Sequence, residues 1–78
     1  MPTVLIFQGF RFFFYSNEHI PIHIHVEKNS KTAKYNILPI ILVKNRGFDS
    51  KELKTIRLII EENEALIKTS WNEYFNHK

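Results

Sequence analysis

Two histidines two positions apart, His23 and His25, are the residues of this chain best suited to chemistry. They lie in an apolar run in which isoleucine or valine alternates with them. Successive side chains of a β-strand point to opposite faces, so a strand here places both imidazoles on one face. Imidazole ordinarily titrates near neutral pH, which suits proton transfer or metal binding. The alternative is structural, because polar and apolar residues alternate on any sheet with one face in water.

Three functional uses of the histidine pair are open. A metal site needs a third ligand, for which His19 and Glu27 are nearest in sequence, but Glu27 would lie about 13 Å from His23 along a strand. We therefore predict no metal site. A metal-independent ribonuclease needs an acid, a base and a cation for the phosphate. The third use is contact with a protein partner or RNA without chemistry. The candidate catalytic residues are His23, His25, Arg11 and Tyr15.

Three cations, Lys34, Lys44 and Arg46, are the candidates for binding RNA or another anion. Lys34 belongs to a basic cluster with Lys28 and Lys31 on a predicted hairpin turn. Lys44 and Arg46 precede a predicted helix start, where cations oppose the helix dipole and an anion contact is worth expecting. A solvated surface is the alternative explanation for all of them.

The first half of the chain is typical of β-strands, which must position these side chains. Predicted strands cover residues 3–7, 10–15, 20–27, 32–38 and 40–43, with a tight turn at Gln8-Gly9. The second strand carries aromatic residues toward both faces, which predicts either burial on both sides or an exposed binding face. The last strand follows Pro39 and is predicted to be short and buried, at an edge or a bend.

The third and fourth strands form a hairpin whose register follows from the residue pattern. A turn at 28–31 makes Val26 face Ala33 and Ile24 face Tyr35 on the apolar side. The opposite face then pairs His25 with Lys34 and His23 with Asn36. This register separates apolar from polar residues, as a buried face requires.

The second half of the chain predicts helix. Asp49 is the expected N-cap, and Glu52 three residues later gives an acidic form of the capping box. An apolar stripe continues to Phe75 but is interrupted at Asn63. The segment is one long helix or two helices breaking near Glu62-Asn63, and the continuous stripe favours a single kinked helix.

Composition limits the range of functions. The chain has 78 residues, enough for a single small domain, 1–78, and its lack of cysteine excludes disulfides and thiolate metal sites. The net charge of +3 suits nucleic acid or an acidic partner. There is no signal peptide or membrane-length apolar run, so we expect a cytoplasmic protein. No Walker loop, dinucleotide fingerprint, nucleophile elbow or zinc-finger spacing occurs, so we expect no cofactor.

The predicted fold class is α+β: an antiparallel sheet of four to five strands followed by a C-terminal kinked helix or helix pair packed on one face. Several ordered motifs carry a family resemblance: the opening 1–5, the block 11–18, Pro21-x-His23-x-His25, and Asn45-Arg46-Gly47-Phe48. Together they resemble the small bacterial proteins of domain of unknown function 4160. The family pattern has two prolines before the first histidine, whereas this chain has Ile20 at one of those positions.

The resemblance implies a toxin–antitoxin-like module in which a cognate small protein is encoded nearby. We expect action through protein–protein contact, with the cognate protein or a second copy of this chain as partner. A ribonuclease-like toxin that uses the strand histidines and a basic RNA-binding module are the alternatives.

Overall fold

A computed structural model of the protein describes residues 3–15 and 20–75. Five strands precede two helices, which confirms the predicted α+β class. The strands are β1 (Thr3–Phe7), β2 (Phe10–Phe13), β3 (His23–Lys28), β4 (Lys31–Ile37) and β5 (Ile40–Arg46). The helices are α1 (Ser50–Glu62) and α2 (Glu64–Phe75).

The five strands form one antiparallel sheet in which each strand pairs with the next in sequence, in the order β1-β2-β3-β4-β5. The predicted turn between β1 and β2 is confirmed: Gln8 and Gly9 both have positive φ, at 53° and 84°, as a two-residue hairpin turn requires. Two of the predicted strands were too long. β2 ends at Phe13 rather than Tyr15, and β3 begins at His23 rather than Ile20.

The predicted register of the central hairpin is confirmed at every pair. Ile24 faces Tyr35 and Val26 faces Ala33, while His25 faces Lys34 and His23 faces Asn36. The pairing continues past the strand end, where Ile37 donates its backbone N–H to the Ile22 carbonyl at 3.2 Å. The alternation of apolar and polar residues excludes a shift by one residue, because that shift would turn the polar side chains toward the core, and the length of the turn fixes the register among the rest.

The prediction that the strand at 40–43 is short and buried was wrong, whereas its predicted position at an edge of the sheet is confirmed. β5 runs from Ile40 to Arg46 and is the last strand of the sheet, and its residues from Ile41 onward are exposed. The register shifts between Lys34 and Tyr35, which pair with Lys44 and Leu42, so Val43 is an extra residue in a β-bulge. An apolar run looks buried in sequence, but a position at the sheet edge leaves it in contact with solvent.

The start of α1 is capped as predicted. Asp49 has an extended backbone, and its carboxylate accepts a hydrogen bond from the Glu52 backbone N–H at 2.8 Å. The Glu52 carboxylate in turn accepts from the Asp49 backbone N–H at 3.1 Å. This reciprocal capping box satisfies two backbone donors that no helical carbonyl can reach.

We expect Asp49→Ala to lower the free energy of unfolding by about 1 kcal/mol, because it removes one partner of the capping box. Urea denaturation followed by circular dichroism measures this loss. Asp49→Asn keeps a capping oxygen and serves as the control, with a smaller loss expected. An unchanged midpoint for Asp49→Ala would contradict the assigned helix start.

A break at Asn63 separates the two helices, so the preference for a single kinked helix was wrong. The Asn63 backbone N–H donates to the carbonyls of Ile59 and Ile60, both at 3.1 Å, and its side-chain amide donates to Ile59 at 2.8 Å. α2 resumes at once, since Ile67 N–H donates to the Asn63 carbonyl at 2.9 Å. The apolar stripe continues through the break because both helices cover the same core.

The core lies between the sheet and the two helices. Its buried side chains come from one face of the strands and from both helices, and include Phe12, Ile24, Val26, Ile37, Ile56, Ile60, Ile67 and Trp71. Tyr35 donates from its hydroxyl to the Leu53 carbonyl at 3.3 Å, and burial raises the pKa of Tyr35 above its ordinary value.

One ion pair ties the hairpin to the start of α1. Lys31 Nζ donates to the Glu52 carboxylate at 2.6 Å, and this contact, together with the Asp49 backbone N–H, lowers the pKa of Glu52. The ion pair therefore stabilises the fold at neutral pH, and its contribution is lost as the pH falls through the lowered pKa of Glu52.

A cationic groove on the open face of the sheet

The face of the sheet opposite the helices carries the candidate site in cross-strand rows. The register pairs Phe13 with His25, His25 with Lys34, and Lys34 with Lys44, which places these four residues in one row across β2 to β5. Arg46 pairs with Thr32 in the next row on the same face. Neighbouring strands lie about 5 Å apart, so the row brings aromatic, imidazole and ammonium groups together.

These residues line a groove of about 470 Å³. We call it the cationic groove, and its lining is formed by Phe13, Tyr15, His25, Thr32, Ala33, Lys34, Lys44 and Arg46. It holds all three predicted anion-binding cations and two of the four predicted catalytic residues. None of the described residues that line it is a carboxylate. The groove is therefore electropositive and suited to an anion.

Lys34 and Lys44 lie directly opposite each other on adjacent strands. Like charges in this position destabilise a sheet by a few tenths of a kcal/mol to about 1 kcal/mol. Because both ammonium groups line the same groove, an anion bound between them would relieve that repulsion. A contribution to the stability of the sheet therefore does not explain why two lysines face each other here.

Aromatic rings surround His25 at one end of the groove. The ring of Tyr15 lies 4.5 Å from the imidazole, centroid to centroid and edge to face. Phe13 stacks on the same imidazole at 5.6 Å and contacts Tyr15 at 5.3 Å. Half of the Tyr15 side chain is exposed, so it offers a ring face at the surface. This arrangement combines a proton-transfer group with a surface for stacking.

His23 lies on the same side of the strand as His25, but it is buried and does not line the groove. The two imidazoles are 5.2 Å apart, and the Trp71 ring from α2 contacts His23 at 5.2 Å. The His23 Nδ1 and the Pro21 carbonyl oxygen are 2.8 Å apart. The expectation that both histidines share one polar surface therefore holds only for His25, because α2 extends over the end of β3.

Arg11 lies next to the groove without lining it. Its guanidinium lies over the Phe13 ring at 4.2 Å and donates to the Glu27 carboxylate at 3.0 Å and to the Thr3 hydroxyl at 3.0 Å. The Glu27 carboxylate neutralises much of its charge. Arg11 therefore contacts the groove residue Phe13 without lining the groove itself, and its predicted catalytic role stays a prediction.

The predicted basic cluster on the hairpin turn is divided between the two faces. Lys31 binds Glu52 on the helix side, and Lys28 lies 4.6 Å above the Phe10 ring, also away from the groove. Of these three lysines, only Lys34 lines the cationic groove. Sequence proximity grouped these lysines, but the alternation of the strand separates them.

Phe13, Thr32 and Ala33 are groove residues that the sequence analysis did not identify as part of a site. Phe13 pairs with His25, and Thr32 pairs with Arg46. Once the strand register is known, it therefore places both residues beside predicted site residues.

Residues 3–15 and 20–75 contain no group of three or more histidine, aspartate or glutamate side chains placed to hold an ion. His19, a candidate third ligand, lies outside the described residues. Within the same ranges, neither α1 nor α2 is long and apolar enough to cross a membrane.

A family model described as Domain of unknown function (DUF4160) matches residues 9–72, which include every lining residue of the cationic groove. No curated protein and no solved structure matches the chain.

Proposed function

The chain belongs to the DUF4160 family of domains of unknown function, and we propose that it is a cytoplasmic protein that binds single-stranded RNA in its cationic groove. The observation that carries this proposal is the convergence of Lys34, Lys44 and Arg46 in one groove beside an exposed tyrosine. We further propose that it acts in a toxin–antitoxin-like module, through contact with a cognate small protein.

The chemistry of the groove matches that of a single strand. Ammonium and guanidinium groups bind phosphates, and aromatic rings stack on unpaired bases whatever their sequence. Lys44 and Arg46 lie two residues apart on β5, so the two cations follow one another along the strand direction of the groove. Tyr15 lines the same groove and offers the stacking surface. A duplex hides its bases from such a ring, so single strands are the preferred ligand.

We expect a labelled RNA single strand of about twelve nucleotides to bind with a salt dependence set by three phosphate contacts. At about 0.7 per contact, the slope of log affinity against log salt is about 2 in magnitude. A fourfold rise in salt then weakens binding about sixteenfold. The variant Lys34→Gln, Lys44→Gln, Arg46→Gln should bind weakly with almost no slope. Fluorescence anisotropy measures both quantities.

The matched control replaces three cations outside the groove: Lys51→Gln, Lys54→Gln, Lys68→Gln. It has the same net charge as the groove variant, so it should keep the full slope. Equal losses in the two variants would mean that only overall charge attracts RNA. Tighter binding of a duplex than of a single strand would also contradict the proposal.

A second candidate function is metal-independent RNA cleavage, which the Tyr15–His25 contact at 4.5 Å favours. In this reaction the 2′-hydroxyl attacks the adjacent phosphorus while His25 takes its proton. The bond from phosphorus to the 5′-oxygen breaks, and the Tyr15 hydroxyl donates a proton to that oxygen. The products are a 2′,3′-cyclic phosphate and a 5′-hydroxyl end. His23 acts as a positioning residue because it is buried.

We expect His25→Gln to abolish cleavage, measured as cyclic-phosphate ends formed in the presence of EDTA, while RNA binding changes little. His23→Gln should lower the rate less, by shifting the position of His25, and circular dichroism should confirm that both variants fold. Full activity of a folded His25→Gln variant would exclude this mechanism and leave RNA binding as the function.

A further inference from the structure

β5 presents an apolar strand at the edge of the sheet. It pairs with β4 on one side, and the sheet order places its other side at the rim. The exposed fractions of Ile41, Leu42 and Val43 are 48%, 40% and 49%. A strand edge carries backbone donors and acceptors that another extended chain can pair with, and exposed apolar residues increase the gain from doing so.

The positive charges of β5 indicate the chemistry of a partner that could pair with it. Lys44 and Arg46 continue the strand, and no acidic residue occurs between Leu38 and Phe48. Both cations also line the cationic groove, beside Lys34. An extended chain paired with β5 therefore meets apolar side chains at one end and positive charge at the other.

A second copy of this chain fits the edge poorly. If two β5 strands paired antiparallel about Val43, each Lys44 would face Leu42 of the other copy, and the two Lys44 side chains would become diagonal neighbours about 7–8 Å apart. Each Lys34 pairs with the Lys44 of its own copy, so it would add a further positive charge beside them. Charged side chains on an edge strand, especially lysines, are a device against such pairing, and their repulsion acts against a second copy but not against an acidic strand.

We propose that β5 binds an extended, acidic segment of a partner protein as a sixth strand, with apolar residues on Ile41–Val43 and carboxylates on Lys44 and Arg46. Since those two cations also line the cationic groove, the partner and RNA compete for them. The competition rests on the proposed RNA binding, whereas the docking of the acidic strand does not.

The probe is a capped synthetic peptide of about eight residues with valines in one half and glutamates in the other, titrated into the full chain. We expect saturable binding in which the backbone amide resonances of residues 40–46 shift most. Lys44→Glu with Arg46→Glu should weaken binding at least about tenfold and should instead favour a valine–lysine peptide. The control pair Lys51→Glu, Lys68→Glu carries the same charge change on the helices α1 and α2 and should bind as the wild type does.

A second pair of variants tests the edge itself. Val43→Lys should weaken the peptide complex, whereas Ile6→Lys, at the exposed end of the opposite edge strand β1, should not. N-methylation of alternate peptide residues removes pairing donors and should also weaken binding. Loss of binding in Ile6→Lys alone, or no saturation at millimolar peptide, would overturn the proposal. So would self-association of the chain that Val43→Lys abolishes, because a second copy would then occupy β5.

Competition separates this inference from the proposed function. We expect the valine–glutamate peptide to displace labelled RNA from the wild-type chain. Simultaneous binding of the peptide and RNA to one chain would overturn the proposed competition. Peptide binding without any RNA binding would refute the proposed function and leave the docking strand standing, whereas RNA binding without peptide binding would do the reverse.

Discussion

Ile24→Ala should lower the free energy of unfolding by about 2–5 kcal/mol. Ile24 is completely buried, lies on the central strand β3, and faces Tyr35 within the core between sheet and helices. Truncation removes buried methyl groups and leaves a cavity that a close-packed core closes only in part. A domain of this size has a total stability of only about 4–12 kcal/mol.

The neighbouring His25 supplies the control for this prediction. His25 is next in sequence but belongs to the opposite face, where it lines the cationic groove. His25→Ala should cost less than about 1 kcal/mol, within the range of substitutions outside the core. Urea denaturation of both variants, followed by circular dichroism, gives the comparison. A larger loss for His25→Ala would contradict the assignment of the core to the Ile24 face.

Trp71→Ala should cost about 3–5 kcal/mol, the largest effect we expect from one substitution on the helices. Its ring is buried and contacts Phe14 at 5.3 Å, His23 at 5.2 Å and Phe75 at 4.4 Å. One side chain thus joins α2 to the sheet and covers His23. Its loss should loosen the contact of α2 with the sheet as well as lowering stability.

Tyr74 is the matched control, because it lies on the same helix and is 44% exposed, whereas Trp71 is buried. Tyr74→Ala removes a ring of similar size but should leave stability nearly unchanged. Amide hydrogen exchange adds a local readout: Trp71→Ala should reduce protection in residues 64–75 more than in the central strands. Equal destabilisation by both variants would mean that Trp71 does not anchor α2.

Local patterns in the sequence were sufficient to predict the central hairpin and the start of α1. The register of β3 and β4 follows from the alternation of Ile24 and Val26 with the histidines, and the capping box follows from Asp49 and Glu52 three residues apart. Both depend on residues close together in the chain, which is why a single sequence was enough.

The rest depended on contacts between distant residues. No local pattern indicates that Trp71 covers His23, because the two are far apart in sequence. The position of Lys44 in the row of His25 depends on the bulge between β4 and β5, and the run Ile40-Ile41-Leu42-Val43 has no alternation that would reveal it. The candidate residues were therefore chosen by their chemistry, and the fold decided which of them meet.

The order of the strands also determines the sequence of events during synthesis. Because each strand pairs with the one before it, every hairpin can close as soon as its second strand leaves the ribosome. The apolar face formed by Phe12, Ile24 and Ile37 cannot be covered until residues 50–75 follow, since the helices come last in the chain. A nascent chain stalled before α1 would therefore expose a nearly complete sheet with one unprotected apolar side, the form most prone to aggregate or to recruit a chaperone.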